Sequence, residues 1–364
     1  MTQFLAALDV SRRVVAARAQ MAESDIAAML VTNPTNVRYL CGFSGSNGVL
    51  LLTADEEVLI TDERYRLRAT EEMSAVFSNA EVVVTRPTAE VETIRQVTGA
   101  AIALDGSHLS YDQYLRMADG LGEVIASPVA IESIRRIKDD AEIERITRAA
   151  QITDQAFAAV IGMLDDEPAE RDVALELDYR VRRLGADDVG YEPIVAAGPN
   201  AAIPHHESGG RRVVAGDVVI IDVGACVDGY RSDMTRTVAL GSAQTEWNTR
   251  YQLVAEAQQR GVDVVRAGVN AALVDAACRS HIDDGGYGAA FLHGTGHGVG
   301  LDIHEAPAIA ERSVDQLLAG DIMTVEPGIY LEGDGGVRVE DTVLVTTDGA
   351  TTLTRTPKRF TIGD

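Results

Sequence analysis

The sequence predicts a two-domain protein, in which a small α/β domain is followed by a larger α+β domain. The chain has 364 residues, and single hydrophobic cores stop growing at roughly 250–300 residues. Segments typical of strands and helices alternate as far as residue 130, which is the pattern of an α/β domain. From Ile194 onward strand patterns, glycines and histidines dominate, and six of the seven histidines lie beyond residue 200.

The first domain should begin with an amphipathic helix, because apolar residues recur at helical spacing between Leu5 and Ala19. The polar segment 33–36, Asn-Pro-Thr-Asn, is expected to end the first strand. The other expected elements of this domain are strands at 27–32, 49–53, 57–61, 82–84 and 101–105, with a helix over 64–75. We place the boundary so that the domains span residues 1–132 and 133–364.

The second domain should open with two helices. Asp139, Asp140 and Glu142 place carboxylates where the dipole of a helix N-terminus favours negative charge. An apolar stripe at helical spacing continues from there to Ile152. A second helix is expected to begin within 167–170, and strands dominate the prediction for the rest of the chain.

The composition argues against several classes of protein. The chain has 32 Lys and Arg against 56 Asp and Glu, a net charge of −24, which repels nucleic-acid phosphates and anionic lipids. No apolar run approaches the ~18–20 residues of a membrane helix, and the N-terminus lacks a signal-peptide pattern. Cys41, Cys226 and Cys278 are few and widely spaced, which predicts reduced thiols. We therefore expect a cytoplasmic protein that binds neither nucleic acid nor membranes.

Two predicted hairpins each carry a pair of carboxylates. Asp222 and Asp233 flank a turn at 227–229 and should lie roughly opposite each other, with Cβ atoms ~4.5–5.5 Å apart. Glu326 and Glu340 are equidistant from Gly333 and should also face each other. Carboxylates this close repel unless a cation or a shared proton lies between them. One such residue alone would be interpreted as a solvated or salt-bridged strand end, but two pairs on apolar strands favour a metal site.

A third group of polar residues lies in the glycine-rich segment 293–305. Four glycines within 293–300 argue against a helix, so His293 and His297 are not a helical zinc pair. Glycine instead allows the backbone to approach a ligand closely and exposes the imidazoles. Three histidines within twelve positions, the third being His304, favour a functional site over a structural role.

Four carboxylates and one imidazole form a ligand set made mostly of hard oxygens. Two divalent ions ~3.5–4 Å apart, bridged by the facing carboxylates, are the economical interpretation. Such a pair generates hydroxide from water at neutral pH and polarises the carbonyl that the hydroxide attacks. Manganese, cobalt, zinc and iron all suit mixed oxygen and nitrogen ligands.

These residues resemble those of the creatinase/prolidase/aminopeptidase P family, the pita-bread metallopeptidases. The resemblance covers the whole chain, since segments 31–47 and 61–65 are similar to the non-catalytic domain of the proline-specific members. It implies a creatinase/prolidase-like N-terminal domain, a pita-bread catalytic domain and two divalent ions per subunit, with manganese expected. The metal ligands that it implies are Asp222, Asp233, His297, Glu326 and Glu340.

The resemblance also implies catalytic roles. His205 lies near the substrate and the metal-bound water, whereas His293 and His304 line the pocket and hydrogen-bond the scissile carbonyl or the oxyanion. Glu326 doubles as a proton shuttle, and Arg338 orders the last ligand. Structural or supporting positions are expected for Tyr191, Asn200, Asp302, Glu305 and Tyr330, with His206 as a solvent-side neighbour.

The activity implied is hydrolysis of the N-terminal Xaa-Pro bond of short peptides by a metal-bridging hydroxide. Proline dipeptidases often carry an arginine just after the proline of the His-Glu-x-Pro segment, where it helps to hold the C-terminal carboxylate of the substrate. Here that position is Ala308, with Arg312 the nearest arginine, which favours an Xaa-Pro aminopeptidase while leaving dipeptidase activity open. The alternatives are a pita-bread aminopeptidase without proline preference and a non-catalytic peptide-binding pseudo-enzyme.

A homodimer is implied as well, in which the N-terminal domain of one subunit approaches the active site of the other. The support from the residues themselves is limited to Tyr39, Phe43 and Tyr65. These aromatic residues lie near polar turns in a domain without obvious chemistry of its own.

Overall fold

The computed structural model describes residues 5–79, 81–86, 90–98, 102–106, 108–122, 124–241 and 245–361. These residues form two compact units. One spans Ala7–Arg135, and the other runs from Arg136 onward and also includes Ala6. In the described part of the chain, no helix is both long enough and apolar enough to cross a membrane.

The N-terminal unit is built on a mixed six-stranded sheet. Its strands are β1 (Ala28–Val31), β2 (Gly48–Thr53), β3 (Glu57–Thr61), β4 (Glu81–Val84), β5 (Ile102–Leu104) and β6 (Val124–Ala126). Its helices are α1 (Val10–Glu23), α2 (Pro34–Cys41), α3 (Arg66–Val76), α4 (Glu90–Thr98), α5 (Tyr111–Leu121) and α6 (Ile131–Arg136). The strand order is β4-β3-β2-β1-β5-β6, with β2 antiparallel to both of its neighbours and the remaining pairs parallel.

The segment 33–36 begins a helix, whereas the sequence predicted only that it ends the first strand. The Asn33 side chain caps α2 by accepting a hydrogen bond from the Thr35 amide at 3.0 Å. Pro34 occupies the first helical position, where its missing N–H has no cost. Gly42, with φ of 76°, then ends the helix in the left-handed region. An Asn-Pro pair is equally typical of a turn and of a helix start, so this helix was missed.

The C-terminal unit combines helices with several small antiparallel sheets. Its helices are α7 (Asp140–Val160), α8 (Glu170–Arg183), α9 (Thr245–Val264) and α10 (Ala271–Asp284). Its strands are β7 (Asp188–Val189), β8 (Ile194–Ala197), β9 (Val218–Val223), β10 (Ala225–Val227), β11 (Tyr230–Arg231), β12 (Met234–Ala239), β13 (Gly296–Gly298), β14 (Glu305–Ile309), β15 (Ile322–Val325), β16 (Gly328–Leu331), β17 (Gly335–Arg338), β18 (Asp341–Val345) and β19 (Ala350–Thr352). The sheets have the orders β12-β9-β8, β14-β13-β15-β18-β19, β16-β17 and β11-β10-β7.

Strand β9 separates two hydrophobic cores. Val218 and Ile220 pack into a core that contains residues of α9 and α10. Val219 and Ile221 point the other way, into a core formed with α7 and α8. Since side chains alternate along a strand, Asp222 falls on the α9 and α10 side, within a strand buried on both faces.

The hairpin registers determine how the predicted carboxylates meet. In the first hairpin Thr235 pairs with Asp222, because the turn is centred on Asp228 and Gly229, with φ of 48° and 82°. Asp233 therefore lies diagonal to Asp222, two positions from the predicted register, although both remain on one face. In the second hairpin the pairs Val325↔Asp341 and Gly328↔Arg338 leave residues 326 and 340 facing each other, as predicted.

Candidate metal centre

The side chains proposed for catalysis and metal binding line one cavity in the C-terminal unit. Its volume is about 350 Å³. The proposed residues on its wall are His205, Asp222, Asp233, His293, His297, His304, Glu326, Arg338 and Glu340, and they are joined by Tyr191, Ile194, Pro204 and Ile303. The fold thus brings together, from distant parts of the chain, the residues that the sequence predicted.

The proposed ligands lie in or directly beside strands. Asp222 is in β9 and His297 in β13. Asp233 comes just before β12, Glu326 just after β15 and Glu340 just before β18. Strand positions hold side chains with little freedom, which suits a site that must keep several charged groups at fixed separations.

Three of the five proposed ligands form a compact donor group. Asp233, His297 and Glu340 each offer a ligand atom, and these atoms all lie within 4.8 Å of one another. Glu326 joins the group through His297, with its Oε1 3.2 Å from Nε2 of the imidazole. The fifth, Asp222, is engaged differently, because its Oδ2 accepts a hydrogen bond from Nη2 of Arg338 at 2.7 Å.

The carboxylates of this group carry more negative charge than their surroundings balance. Burial raises the pKa of Asp233 well above its ordinary value, and the charges of Asp222 and Glu326 raise it further. The pKa of Glu340 is raised in the same way, by burial and then by Asp233 and Glu326. Burial also opposes ionisation of Glu326, but the hydrogen bond and charge of His297 outweigh it and hold the pKa of Glu326 at about 2.

Two of the three histidines on the glycine-rich segment, His293 and His297, have pKa values shifted in opposite directions. Burial lowers the pKa of His293, whose Nδ1 donates to the Gly294 carbonyl at 2.7 Å, and its Nε2 lies 2.9 Å from the hydroxyl of Tyr330. Burial would also lower the pKa of His297, but its hydrogen bond to Glu326 and the charge of Glu326 raise that pKa to about 9. Nδ1 of His297 donates to the Gly298 carbonyl at 3.1 Å, so Nε2 is the nitrogen that faces the carboxylates.

Tyr191 and Arg338 hold the carboxylates in place. The Tyr191 hydroxyl contacts a carboxylate oxygen of both Asp222 and Asp233. Arg338 binds Asp222 directly and reaches Glu340 through a threonine, since its Nε donates at 2.9 Å to Thr235, whose hydroxyl donates at 2.7 Å to Glu340. Both side chains therefore orient the site from its wall.

Three threonines belong to the site and were missed by the sequence analysis. Thr235 donates to Glu340, Thr324 donates to Glu326 at 3.1 Å, and Thr342 bonds the backbone of Asp233 at 2.7 and 3.2 Å. Each threonine lies two residues from a proposed ligand along the chain, a spacing that puts alternate side chains of a strand on one face. That spacing was visible in the sequence and could have identified them.

His206 does not face solvent, so that expectation was wrong. Its Nε2 lies 2.9 Å from Oε2 of Glu170, and the two side chains are 14% and 0% exposed. Glu170 also accepts hydrogen bonds from the Ala197 amide at 2.8 Å and from Asn200 at 2.9 Å. His206 thus ties the loop that carries His205 to helix α8, whereas His205 itself is exposed toward the cavity.

The cavity wall offers little positive charge that could bind the carboxylate of a bound molecule. Among its described lining residues Arg338 is the only lysine or arginine, and that guanidinium is bonded to Asp222. Ala308 pairs with His297 across the β13–β14 ladder, next to the donor group. Arg312 is exposed and is not part of the described wall.

The donor set fits a divalent cation. Carboxylate oxygens with one imidazole nitrogen suit manganese, iron, cobalt or zinc. A cation among Asp233, His297 and Glu340 would relieve the repulsion that raises the pKa values of the two carboxylates. This arrangement can hold a Lewis acid beside three histidines that are able to hydrogen-bond a substrate.

Comparison with known proteins agrees with this architecture. Residues 13–137 match the creatinase/prolidase N-terminal domain, and residues 144–347 match metallopeptidase family M24. The Xaa-Pro dipeptidase of Pyrococcus furiosus is 36% identical over 343 residues, which cover 93% of this chain and 97% of the relative.

Solved structures with the same fold include dipeptidases and aminopeptidases. A Bacillus anthracis Xaa-Pro dipeptidase superimposes with a TM-score of 0.91 at 36% identity, covering 97% of this chain and 99% of its own. An X-Pro aminopeptidase from Thermotoga maritima superimposes with a TM-score of 0.86 at 32% identity, covering 94% and 100%.

Proposed function

The chain belongs to metallopeptidase family M24 and is a peptidase, and from this premise we propose that it hydrolyses the N-terminal Xaa-Pro bond of short peptides. The observation that carries the proposal is the convergence of nine proposed side chains on one cavity in a fold shared with Xaa-Pro peptidases. Proline-containing peptides are the substrates named for these relatives, whereas the site residues come from this chain.

Asp222, Asp233, His297, Glu326 and Glu340 would hold two divalent ions, with manganese the expected metal. When bound, such ions make a nucleophile of water at neutral pH and polarise the carbonyl that is attacked. A three-donor group already lies within 4.8 Å, and the proposal adds Asp222 and Glu326 as the ligands that complete a second site. Analysis of metal content by mass spectrometry, with the expected value of two ions per subunit, tests that number.

Several side chains of the wall also have proposed roles in binding the substrate and carrying its protons. Glu326 is ionised at neutral pH, because despite its burial His297 holds its pKa low, and the resemblance gives it the role of carrying a proton from the attacking water to the leaving amine. His293 is held neutral by burial, so it can orient a substrate carbonyl without adding charge. His304, whose ring packs edge-on against His297 at 4.3 Å, and His205 complete the polar wall on the substrate side.

A substrate series separates this function from its alternatives. Metal-free enzyme is reloaded with manganese, cobalt or zinc and assayed on Xaa-Pro, Xaa-Pro-Yaa, Xaa-Ala and Met-Ala peptides. We expect cleavage of the proline peptides alone. Equal rates on Met-Ala would favour an aminopeptidase without proline preference, and a metal-loaded protein inert on every peptide would favour a peptide-binding pseudo-enzyme.

We further propose that the chain prefers Xaa-Pro-Yaa over Xaa-Pro. A free dipeptide places its prolyl carboxylate near Ala308, where the described wall offers only the arginine already bonded to Asp222. Charge-assisted hydrogen bonds to a carboxylate contribute roughly 1.5–3 kcal/mol, which corresponds to about one to two orders of magnitude in kcat/KM. A tripeptide places its C-terminal carboxylate farther out of the cavity, so its kcat/KM should be lowered less by the missing contact.

Ala308→Arg tests this preference, with Arg312→Ala as the matched control. The arginine variant should narrow the gap in kcat/KM between the two peptide lengths, whereas Arg312→Ala should leave the gap unchanged. Equal rates in the native enzyme that collapse for dipeptides in Arg312→Ala would assign the carboxylate contact to Arg312 and overturn the proposal.

A homodimer and a cytoplasmic location stay predictions. Phe43 and Tyr39 are buried within the N-terminal unit and Tyr65 is half-buried, so these residues give little surface for a second subunit and the dimer rests mainly on the resemblance. The location rests on the few, widely spaced cysteines. Light scattering of the active enzyme at micromolar concentration tests the first, and a strictly monomeric mass with full activity would contradict it.

A further inference from the structure

The chain segment that leads into β13 takes its hydrogen-bond partners from the side chains of a helix. Arg279 of α10 donates from Nη1 to the Phe291 carbonyl at 3.2 Å and from Nη2 to the His293 carbonyl at 2.8 Å. Two residues farther along, Asp275 accepts from the Thr295 amide at 3.1 Å and from its hydroxyl at 2.9 Å. The bonded positions alternate along the chain, in the way that a neighbouring strand would bond them.

Asp275 and Arg279 form one rigid unit. They lie four residues apart on α10 and are joined by two hydrogen bonds of 2.8 and 2.9 Å. The Asp275 side chain is fully buried and that of Arg279 is 27% exposed. The hydrogen bond to Asp275 raises the pKa of Arg279, whose guanidinium carbon also lies 4.2 Å from the centre of the Phe291 ring. These contacts hold the two side chains against each other and against the Phe291 ring.

The pair connects to two separate parts of the site. His293 is held through its own carbonyl, and His297 follows Thr295 by two residues. The Thr295 carbonyl accepts a hydrogen bond from the Glu326 amide at 2.8 Å. A shift of Thr295 would therefore move the segment that carries His297 and the start of the segment that carries Glu326 together.

We propose that Asp275 and Arg279 are positioning residues that take the place of a neighbouring strand and fix His293 and His297 in the cavity. Neither side chain lines the cavity in the described part of the chain, so both act through the backbone that they bond. The proposal deepens the proposed function but rests on it only for the activity measurement, because metal affinity reports the position of His297 without any peptide.

The variants Arg279→Lys and Asp275→Asn test the proposal. Lysine keeps the charge but loses the guanidinium fork, and asparagine keeps the shape but loses the carboxylate. A matched control is Arg136→Lys, since Arg136 forms an equally short, two-bond pair with the buried Asp321 at 2.8 and 2.8 Å in the same unit, away from the cavity. Thr295→Val, which removes a single hydroxyl, replaces Asp275→Asn if that variant does not fold.

The readouts are the manganese dissociation constant of metal-free protein by calorimetry, kcat and KM on an Xaa-Pro-Yaa peptide, and the melting temperature. Outer-sphere partners that bond a metal ligand directly typically change metal affinity or activity by ~10–100-fold, and residues that hold the backbone beside a ligand should reach the lower end of that range. In both test variants we expect manganese affinity to weaken by that factor and kcat to fall by a larger factor than KM rises. Arg136→Lys should show neither change, although its melting temperature falls by a similar amount.

Unchanged manganese affinity and kcat in the folded test variants would overturn the proposal. The same loss in Arg136→Lys would also overturn it, because the effect would then be a general cost of breaking a buried ion pair. If the native protein binds manganese but cleaves no proline peptide, the proposed function fails and the affinity comparison still decides the positioning role.

Discussion

Glu340 and Asp341 are consecutive in the sequence and equally buried, at 1% exposure each, yet the fold treats them in opposite ways. Asp341 accepts hydrogen bonds from Arg236 at 2.8 Å, Thr354 at 3.0 Å and Gln258 at 3.1 Å, and it lies 2.7 Å from Nζ of Lys358. Burial alone would raise the pKa of Asp341, but Arg236 and Lys358 outweigh it and lower that pKa. For Glu340, burial and three neighbouring carboxylates all raise the pKa.

This difference separates a structural carboxylate that the chain itself neutralises from a cavity carboxylate that lacks a cation of its own. Side chains alternate along an extended chain, so Asp341 points away from the cavity while Glu340 lines it. The chain supplies two cations to the structural carboxylate, whereas the cavity carboxylates share the single guanidinium of Arg338 among the described lining residues. A buried carboxylate without a balancing cation is costly to ionise, and the proposed divalent ion would supply that balance at Glu340.

Glu340→Gln should have the largest effect on activity. It removes a charge from the donor group, so manganese affinity and kcat/KM should fall by more than the ~10–100-fold typical of outer-sphere partners. Because the change also removes repulsion with Asp233, the metal-free variant should have a melting temperature equal to or above that of the metal-free native protein. Metal content and a melting curve are measured side by side, and a fully loaded but inactive variant would refute the assignment of Glu340 as a ligand.

Asp341→Asn should have the opposite outcome. The substitution leaves Arg236 buried without its charge partner, and breaking a buried ion pair costs about 3–5 kcal/mol. Urea unfolding should report that loss of stability, while kcat per folded molecule changes little. A large fall in kcat at native stability would mean that both faces of the strand serve the site.

Protein whose metal has been removed with a chelator, called chelated protein below, should lose stability as the pH rises. The pKa of His297 is about 9 against an ordinary value of 6.5, so its stabilising contribution is complete below about 6.5 and is lost as the pH rises through 9. The raised pKa values of Asp233 and Glu340 act in the same direction. Asp341 acts in the reverse direction, since its lowered pKa gives stability that is lost on acidification.

The measurement is the melting temperature of chelated protein between pH 6 and pH 9.5, with manganese-saturated protein as the control. We expect a fall of several degrees in the chelated sample and a flatter curve in the saturated one, because bound metal replaces the proton on His297. Parallel curves would contradict the assignment of His297 to the donor group.

The sequence predicted the strands and the glycine-rich segment that carry the cavity residues, but it missed helices α2, α9 and α10. Paired carboxylates on apolar strands and three histidines on a glycine-rich segment located the cavity, and equal spacing about Gly333 predicted the second hairpin register. The first register was two residues off because the position of a two-residue turn depends on positive φ at Asp228, which composition does not specify. The roles of Asp275, Arg279 and Glu170 could not be predicted, since each depends on which helix packs behind which loop.

The three threonines that bond the proposed ligands bear on how such sites are recognised and inherited. A chain could keep the five ligands and lose the hydroxyls at 235, 324 and 342, and a search for ligand spacing would still accept it. Its Glu340 and Glu326 carboxylates would lose hydrogen bonds of 2.7 and 3.1 Å, and the backbone of Asp233 would lose hydrogen bonds of 2.7 and 3.2 Å. A transplant of this centre onto another scaffold therefore has to carry at least these eight residues, and a signature that pairs Asp233, Glu326 and Glu340 each with the threonine two residues away would detect the decay of an enzyme before its ligands change.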